Sequence, residues 1–352
     1  MALTIVIFGL YGFIEMIKKV VKLSDIAEKT GVSTATVSMV LNGKGRISNQ
    51  IRKTILDTAK DLGYQKLKIT SGNSWGILLP VEDFWDNVWH FIKPTLHNIL
   101  KVASEKNIAY SIIPVYSDNS PDYVYQLLQG QNISSVFSFH YGSVELFEKL
   151  ENNNIQVVVI NNSKFQEGYY SICVDDFQGA YEGTKHLLQK NHRKIAYIDY
   201  PIKTLPNLSS DRFFGFLKAV EEFEVTIPSE WHVTVEFDDI PEMKTRIENL
   251  INQKNAPTAF FIHDDILANR VIHILGELGK KIPEDFSIVA PGDTLNYSSP
   301  EVPQITTMSI NTGLMGKYAA EMMLERNQGK YTESHVLKIH QQLIIRGSTL
   351  SI

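Results

Sequence analysis

Residues 22–64 read KLSDIAEKTGVSTATVSMVLNGKGRISNQIRKTILDTAKDLGY. Ser24, Ser33 and Ser48 each precede apolar residues at helical spacing, and a serine at such a place can cap a helix. Gly31 ends the first helix, and only a short turn follows before the second. Three helices with a tight turn between the first two indicate a helix-turn-helix domain, whose second helix fits the DNA major groove. The residues expected in its core are Leu23, Ile26, Ala27, Val37, Val40, Leu41, Ile51, Ile55, Leu56, Ala59 and Leu62.

The charge distribution agrees with contact between this segment and DNA. Residues 18–68 hold eleven Lys and Arg against four Asp and Glu, and therefore carry a net charge of +7. The whole chain of 352 residues carries −5, so the remaining residues sum to −12. A basic end on an acidic body suits a protein that meets phosphate at one end only.

Residues 2–14 are continuously apolar and precede the helix-turn-helix. The run is short for a membrane span and lacks the basic leader and the cleavage site of a signal peptide. Lys18 and Lys19 favour a membrane tether, whereas Met16 as the true start would remove the run; we favour Met16. We therefore treat residues 1–19 as an N-terminal extension and expect no membrane association.

Cysteine usage indicates a reducing compartment. The chain has one cysteine, Cys173, which cannot form an internal disulfide. This suits the cytoplasm. With no phosphate-cradling glycine loop, nucleophile–base pair or metal-ligand spacing, the sequence predicts neither an enzyme nor a cofactor.

From Trp75 onward, short apolar runs alternate with amphipathic helical stretches. This pattern is typical of parallel strands buried on both faces by helices. It restarts after Asp175 and Asp176, so the sequence predicts an α/β body of two doubly wound lobes. Such lobes bind ligands at the carboxyl ends of their strands, here in the cleft between them.

The chain resembles the LacI/GalR family of bacterial transcriptional regulators. The segment quoted above follows the family's head pattern nearly residue for residue. The match continues through VDDFQGAYEGTKHLLQKNHRKIAYI, SSDRFFGFLKAV, PTAFFIHDD and KKIPEDFSIV, and covers residues 20–346. The resemblance implies an all-α head and a bilobal body like that of periplasmic binding proteins. The boundaries that it implies are 20–64 for the head, 65–74 for a short linker, 75–173 with 306–330 for the first lobe, and 174–305 with 331–352 for the second.

The resemblance also implies which head residues contact DNA. Thr34, Ala35 and Met39 occupy the family's base-contacting positions, where Thr34 can bond a base edge and the other two can touch a thymine methyl. Many relatives carry Arg at the position of Met39, so one strong guanine contact is absent. Leu67 is the candidate for a wedge in the minor groove, although the linker lacks the family's Pro-Asn hinge motif. The other head residues in the expected DNA-binding set are Ser24, Ser33, Thr36, Ser38 and Asn42.

Arg212, in SSDRFFGF, matches the family's effector-binding arginine, whose planar fork suits paired hydroxyls or a carboxylate. Its alternative role is a surface ion pair with Asp211. Asp264 and Asp265 follow a strand and suit sugar hydroxyls; a metal site shared with His263 is the weaker interpretation.

Five further positions complete the expected effector set. Asn161 follows a strand where relatives often carry Asp. Aromatic residues crowd the first strand-to-helix loop, where their faces can stack on a sugar ring or, equally often, anchor the core. The chain reads Ala290-Pro291-Gly292-Asp293 where relatives have Gly-Phe-Asp-Asp, so Gly292 replaces an effector-contacting Asp and puts the effector's identity in doubt. The remaining expected effector contacts are Phe84, Trp85, Trp89 and Asp293.

These observations predict a cytoplasmic homodimeric repressor of a carbohydrate-utilisation operon. Its two heads would bind a near-palindromic operator in double-stranded DNA, and a small sugar or glycoside in the cleft would release them. A regulator that needs a corepressor, either a purine or a phosphorylated carrier protein, is the first alternative. An exported sugar-binding transport receptor shares the bilobal fold, but the helix-turn-helix argues against it.

Overall fold

A computed structural model describes residues 22–41, 47–62, 74–80, 89–116, 118–166, 168–201, 209–330 and 333–352. The chain divides into two compact units, residues 1–71 and 72–352. Within the described residues, no helix is long and apolar enough to cross a membrane. The expectations that lie outside the described residues, and so stay predictions, concern the apolar extension, Asn42, Leu67, Phe84 and Trp85.

The first unit contains the three expected helices, α1 (Leu23–Thr30), α2 (Thr34–Leu41) and α3 (Asn49–Asp61). Gly31 ends α1 with φ of 68°, a left-handed conformation that glycine adopts without steric cost. Ser33 Oγ accepts a hydrogen bond from the Thr36 N–H at 3.1 Å, and Ser48 Oγ accepts one from the Ile51 N–H at 3.4 Å. The predicted caps of the second and third helices are therefore confirmed.

The prediction that Ser24 caps the first helix is wrong. The helix begins at Leu23, and the backbone N–H of Lys22 donates to Oδ2 of Asp25 at 2.8 Å. Asp25 secures this end because a carboxylate in the first turn reaches back to the amide that precedes the helix. Ser24 itself is exposed within the first turn.

One side chain from each helix is fully buried in the core of the head: Ile26, Val37 and Ile55. The prediction was wrong for Ile51 and Leu56, which are 42% and 46% exposed. Leu56 lies about 100° around the helix from Ile55, so it falls outside the stripe that packs inward. Ile51 belongs to the first turn of α3.

The second unit confirms the predicted α/β class. Its first sheet has the strand order β11-β5-β4-β3-β1-β2, with every neighbouring pair parallel. These strands are almost wholly apolar because helices cover both faces. Its strands are β1 (Ser74–Pro80), β2 (Ala109–Val115), β3 (Ser135–Phe139), β4 (Gln156–Ile160), β5 (Tyr170–Val174) and β11 (Val336–Ile339).

Two pairs of helices cover the first sheet. One face packs against α4 (Trp89–Glu105) and α11 (Thr312–Asn327), and the other against α5 (Pro121–Gln129) and α6 (Val144–Asn152). A short 3-10 turn, Ser163–Phe165, follows β4. Each layer therefore buries an apolar face of the same sheet, as expected for a doubly wound lobe.

The second sheet repeats this arrangement with the order β12-β10-β9-β8-β6-β7, parallel except for the antiparallel pair β10 and β12. Helices α7 (Asp176–Gln189) and α8 (Ser209–Glu222) cover one face, and α9 (Ile240–Ile251) and α10 (Asp265–Glu277) cover the other. A 3-10 turn, Ser229–Trp231, leads into β7. Its strands are β6 (Ile195–Asp199), β7 (His232–Thr234), β8 (Ala259–Ile262), β9 (Ser287–Gly292), β10 (Thr306–Ser309) and β12 (Gln342–Ile344).

The expected lobe boundaries need two corrections. Residues 306–309 form β10 of the second sheet, not the first, and the chain returns to the first lobe only with α11. Residues 336–339 form β11 of the first sheet, so the last segment, 331–352, which was expected wholly in the second lobe, is divided between the sheets. Apolar residues flank the polar residues 340–342 in HVLKIHQQLII, and each half is long enough for a short strand, so the sequence does not reveal this break.

The contact between α4 and α11 offers a test of packing in the first lobe. A Cβ on Gly316 would lie 2.1 Å from the backbone oxygen of Thr95, which no side-chain movement can relieve. We expect Gly316→Ala to destabilise the body by about 1–3 kcal/mol through overpacking. The measurement is the midpoint of chemical denaturation, followed by circular dichroism.

Gly276→Ala is the matched control, because nothing lies within 4 Å of a Cβ at Gly276 in α10. Alanine there removes the entropic penalty of glycine and should raise stability by up to about 1 kcal/mol. An equal response from the two variants would contradict the close approach of α4 and α11.

Candidate functional site

The outward face of α2 carries the three side chains expected to contact bases. Thr34 and Ala35 are exposed, and Met39 is 41% exposed although methionine is usually buried. Val37 and Val40 are buried on the opposite face. Core packing therefore does not account for Met39, while base contact by this face stays a prediction.

The first turn of α2 is closed by its own hydroxyls. Ser33 Oγ lies 2.9 Å from Thr36 Oγ1, in addition to accepting the Thr36 amide. Thr36 and Ser38 are half-buried. The hydroxyls of Ser33 and Thr36 thus hold the first turn of the helix, and contact of Ser33, Thr36 and Ser38 with DNA stays a prediction.

Asn161 lies at the carboxyl edge of the first sheet and is nearly buried. It follows β4 with φ of 53°, donates its backbone N–H to the Ile172 carbonyl at 2.8 Å, and accepts the Val174 N–H at Oδ1 at 3.3 Å. Asn161 therefore links β4 to β5. Trp89, the first residue of α4, packs partly buried against the core of the same lobe.

Arg212, on α8, is buried at the carboxyl edge of the second sheet and is only 7% exposed. Its Nε donates to Oδ1 of Asp176 at 2.9 Å, and its Nη1 donates to the His263 carbonyl at 2.7 Å. Burial alone would lower the pKa of this guanidinium, but the Asp176 carboxylate raises it. The alternative partner, Asp211, instead lies 3.6 Å from Nζ of Lys338.

Asp176 is also held from the last segment of the chain. The side-chain Nε2 of Gln341 lies 3.3 Å from Oδ1 of Asp176 and 3.2 Å from the Asp175 carbonyl. Gln178 and the Gln341 backbone exchange two more hydrogen bonds, at 2.9 and 3.3 Å. The passages between the sheets at 174–176 and 339–342 are therefore joined through a buried polar cluster.

Asp264 and Asp265 have different surroundings although they are adjacent. Asp264 is half-buried and caps α10, accepting the Leu267 N–H at 2.7 Å and the Tyr200 hydroxyl at 3.3 Å. Asp265 is fully buried, and burial raises its pKa. Its carboxylate accepts hydrogen bonds from the Thr294 N–H and hydroxyl, the Leu295 N–H and the Tyr297 hydroxyl.

The departure at Gly292 has a physical basis in these bonds. Gly292 has φ of 128°, and a Cβ there would lie 2.4 Å from Oδ1 of Asp265. The space that an aspartate would take in relatives is filled here by the Asp265 carboxylate, which organises the loop at 294–297. Asp265 thus has a structural role, and its expected contact with an effector stays a prediction.

Asp293 is held in an ion pair. Its Oδ1 lies 2.6 Å from Nη2 of Arg346 and accepts the Thr307 hydroxyl at 2.9 Å. Both charged side chains are largely buried, and Arg346 also donates to the Ile305 carbonyl. The pair joins the end of β9 to the segment after β12.

Sequence reasoning missed a buried acid–imidazole pair at the ends of β6 and β8. Nδ1 of His263 lies 2.7 Å from Oδ1 of Asp199, and both side chains are almost fully buried. Burial alone would raise the pKa of Asp199, but the contact with His263 lowers it. Asp199 ends β6 and His263 follows β8, and these two strands pair in register, so the sheet edge itself was the available signal.

The second sheet therefore brings together Arg212, Asp264, Asp265 and Asp293 of the expected effector residues, with Asp176, Asp199 and His263 added. Asn161 and Trp89 belong to the first lobe. Among the described residues, no group of three or more His, Cys, Asp or Glu side chains is arranged to hold a metal ion. What the arrangement provides is a set of hydrogen-bond donors and acceptors at the carboxyl ends of strands, typical of a small-molecule site.

Two family profiles match the chain. One, described as bacterial regulatory proteins of the lacI family, matches residues 22–66, and one described as a periplasmic binding protein-like domain matches residues 184–349. The relatives include proteins described as HTH-type transcriptional repressor PurR. That of Mannheimia succiniciproducens is 26% identical over 94% of this chain and 99% of its own. That of Proteus mirabilis is 28% identical over 93% and 96%.

Solved structures share the fold over nearly the whole chain. A lac repressor dimer bound to operator and the anti-inducer ONPF is 21% identical, with a TM-score of 0.68 over 94% of this chain and 100% of its own. A complex of the transcriptional regulator CelR with cellobiose is 21% identical, with a TM-score of 0.67 over 93% and 99%.

The first lobe contains a histidine whose titration should affect stability. His140 follows β3, and burial lowers its pKa to about 4 from the ordinary 6.5. A depressed pKa favours the fold while the imidazole is neutral, so this stability is present above pH 6.5 and is lost as the pH falls toward 4. His140→Asn, which tolerates φ of 51°, should lessen the acid destabilisation by up to about 3 kcal/mol.

The measurement is the urea midpoint of each protein between pH 7 and pH 4. His97→Asn, at an exposed position on α4, is the control and should keep the wild-type pH dependence. Parallel pH profiles for wild type and His140→Asn would show that His140 does not contribute to the loss of stability at low pH.

Proposed function

The chain belongs to the LacI/GalR family of bacterial transcriptional regulators, and we propose that it is a homodimeric repressor of a carbohydrate-utilisation operon. A lacI-type regulatory domain at residues 22–66 and the similarity to repressors over most of its length identify it as a DNA-binding repressor of this family. The observation that carries the finer proposal is the buried Arg212 among carboxylates at the carboxyl edge of the second sheet. Donors and acceptors side by side suit the hydroxyls of a sugar.

In this proposal two copies of α2 enter successive major grooves of an operator, as the two-fold symmetry of a dimer requires. An effector that binds better to one relative arrangement of the lobes shifts the population toward it. The coupling to DNA then equals the difference in effector affinity between the two arrangements. The protein acts in the cytoplasm as a regulator and not as an enzyme.

The second candidate is a repressor that needs a purine as its corepressor, which the relatives described as PurR favour. An amide-bearing base presents carbonyl and N–H groups that Arg212 and Asp264 can also pair. The two candidates differ in the sign of the response, because a sugar inducer weakens operator binding and a corepressor strengthens it.

The decisive experiment is fluorescence anisotropy with the full chain and the DNA upstream of its own gene, at fixed salt. Mono- and disaccharides, hypoxanthine and guanine are each titrated into the complex. Release by one sugar supports the induced repressor, and strengthening by a purine supports the corepressor. Equal affinity for this DNA and for scrambled DNA, with every ligand, would contradict the repressor.

Thr34 should determine part of the operator specificity. Its exposed hydroxyl stands at the start of α2, and we expect Thr34→Ala to weaken binding to the operator by about 1–3 kcal/mol, or roughly 5- to 150-fold. Binding to scrambled DNA should stay unchanged, since that depends on phosphate contacts. Thr54→Ala, at an exposed threonine on α3, is the control. A similar loss in both variants would argue against base reading by Thr34.

Arg212 should be needed for the ligand response and not for DNA binding. Arg212→Lys replaces a planar fork with a point charge and removes the paired bonds to Asp176 and the His263 carbonyl. We expect operator binding to remain while the concentration of ligand needed for half-response rises at least about tenfold. Arg246→Lys, at an exposed ion pair with Glu242, is the control. An unchanged ligand response in Arg212→Lys would show that Arg212 does not contribute to ligand binding.

A further inference from the structure

The charge of Arg212 is already matched inside the protein. Asp176 lies against Nε at 2.9 Å, and the side chains of Arg212 and Asp176 are only 8% and 6% exposed. At such burial the attraction between the two charges is little screened by water or salt. A ligand that reaches this guanidinium therefore meets a neutral pair and not a free cation.

Asp176 is fixed in this place by independent contacts. It is the first residue of α7, where the helix dipole favours a negative charge. Nε2 of Gln341 approaches the same Oδ1 that Arg212 contacts, at 3.3 Å. A Cβ on Gly179 would lie 2.3 Å from the Gln341 side chain, so Gln341 itself has little room to leave. The carboxylate cannot readily turn away to free Arg212 for an anion.

The other cations near this edge are matched in the same way. Nη2 of Arg346 contacts Asp293 at 2.6 Å, Nζ of Lys338 lies 3.6 Å from Asp211, and Nη2 of Arg270 lies 3.9 Å from Asp238. Asp264 and Asp265 add two further carboxyl groups. Over the described residues, this edge of the second sheet holds more acids than bases.

We propose that Asp176 tunes Arg212 to bind uncharged ligands, so that the cleft accepts a neutral sugar or nucleobase and rejects its phosphorylated or carboxylated counterpart. The proposal rests on the proposed function, in that the effector binds at Arg212. Arg212 then contributes directed N–H groups to a hydroxyl or carbonyl oxygen. A phosphate is repelled by the surplus carboxylates. It also loses its hydration on entering the cleft, and no unmatched positive charge offsets that free-energy cost.

The direct test uses inorganic phosphate as a probe and needs no knowledge of the effector. Isothermal titration calorimetry of the full chain at constant ionic strength should show no saturable phosphate binding by wild type. Asp176→Asn keeps an acceptor for Arg212 but removes the charge, and should gain saturable binding that is lost again in Asp176→Asn/Arg212→Gln. Glu230→Gln removes an equal charge at an exposed position that precedes β7, and this variant should gain nothing.

Three results would overturn the proposal: saturable phosphate binding by wild type that Arg212→Gln abolishes, no gain in folded Asp176→Asn, or a gain that survives Arg212→Gln. Circular dichroism establishes that each variant is folded. If Asp176→Asn does not fold, titration of wild type with neutral ligands and their phosphorylated counterparts still decides the matter.

Paired ligands distinguish the source of the neutral group. Wild type is titrated with ribose and ribose 5-phosphate, glucose and glucose 6-phosphate, and hypoxanthine and inosine monophosphate. Binding of one neutral member at least about tenfold tighter than its phosphorylated partner supports the proposal and names the class, whereas the reverse order overturns it. These outcomes do not depend on operator binding, so a failure of the repressor assignment is seen separately in the anisotropy experiment.

Discussion

The chain crosses between the two sheets three times, and these crossings constrain how the body is built. Each passage begins where a strand ends, at Val174 in β5, Ser309 in β10 and Ile339 in β11. Because neighbouring strands are parallel, apart from β12 beside β10, the carboxyl ends in each sheet share the edge where the chain crosses. Polar groups brought there by different strands, such as Asp199 and His263, therefore become neighbours without any motif in the sequence.

The sequence predicted the elements better than their membership in a sheet. Alternation of apolar runs and amphipathic helices identified the two lobes, since burial on both faces leaves a strong signal in each strand. It did not predict that β10 and β11 belong to opposite sheets, because nothing in a strand of four residues indicates which sheet it joins. In the head, Asp25 and Ser24 both stand where they can secure a helix start, and only the geometry of the Lys22 amide distinguishes them.

The position of the site could be predicted from the sequence, but the hydrogen-bond and ion-pair partners of its side chains could not. Asp264 and Asp293 could be placed at strand ends from the sequence, and the family resemblance identified Arg212. That Asp293 is paired with Arg346, and that Asp265 is saturated by the loop at 294–297, depends on residues 29 to 53 positions away. Such partners leave no local pattern. The absence of a side chain at Gly292 likewise becomes interpretable only beside Asp265, whose carboxylate occupies the same space.

The brevity of the three passages restricts how the lobes can move. At most two residues separate the last residue in one lobe from the first in the other, at 175, 310–311 and 340–341. A link such as Ile339 to Gln342 spans at most about 11 Å, so the lobes cannot slide apart along it. All three links lie beside β5, β10, β11 and β12, at one end of each strand order. Relative motion is thus a rotation about that end, and β2 and β7, at the far ends, travel the greatest distance.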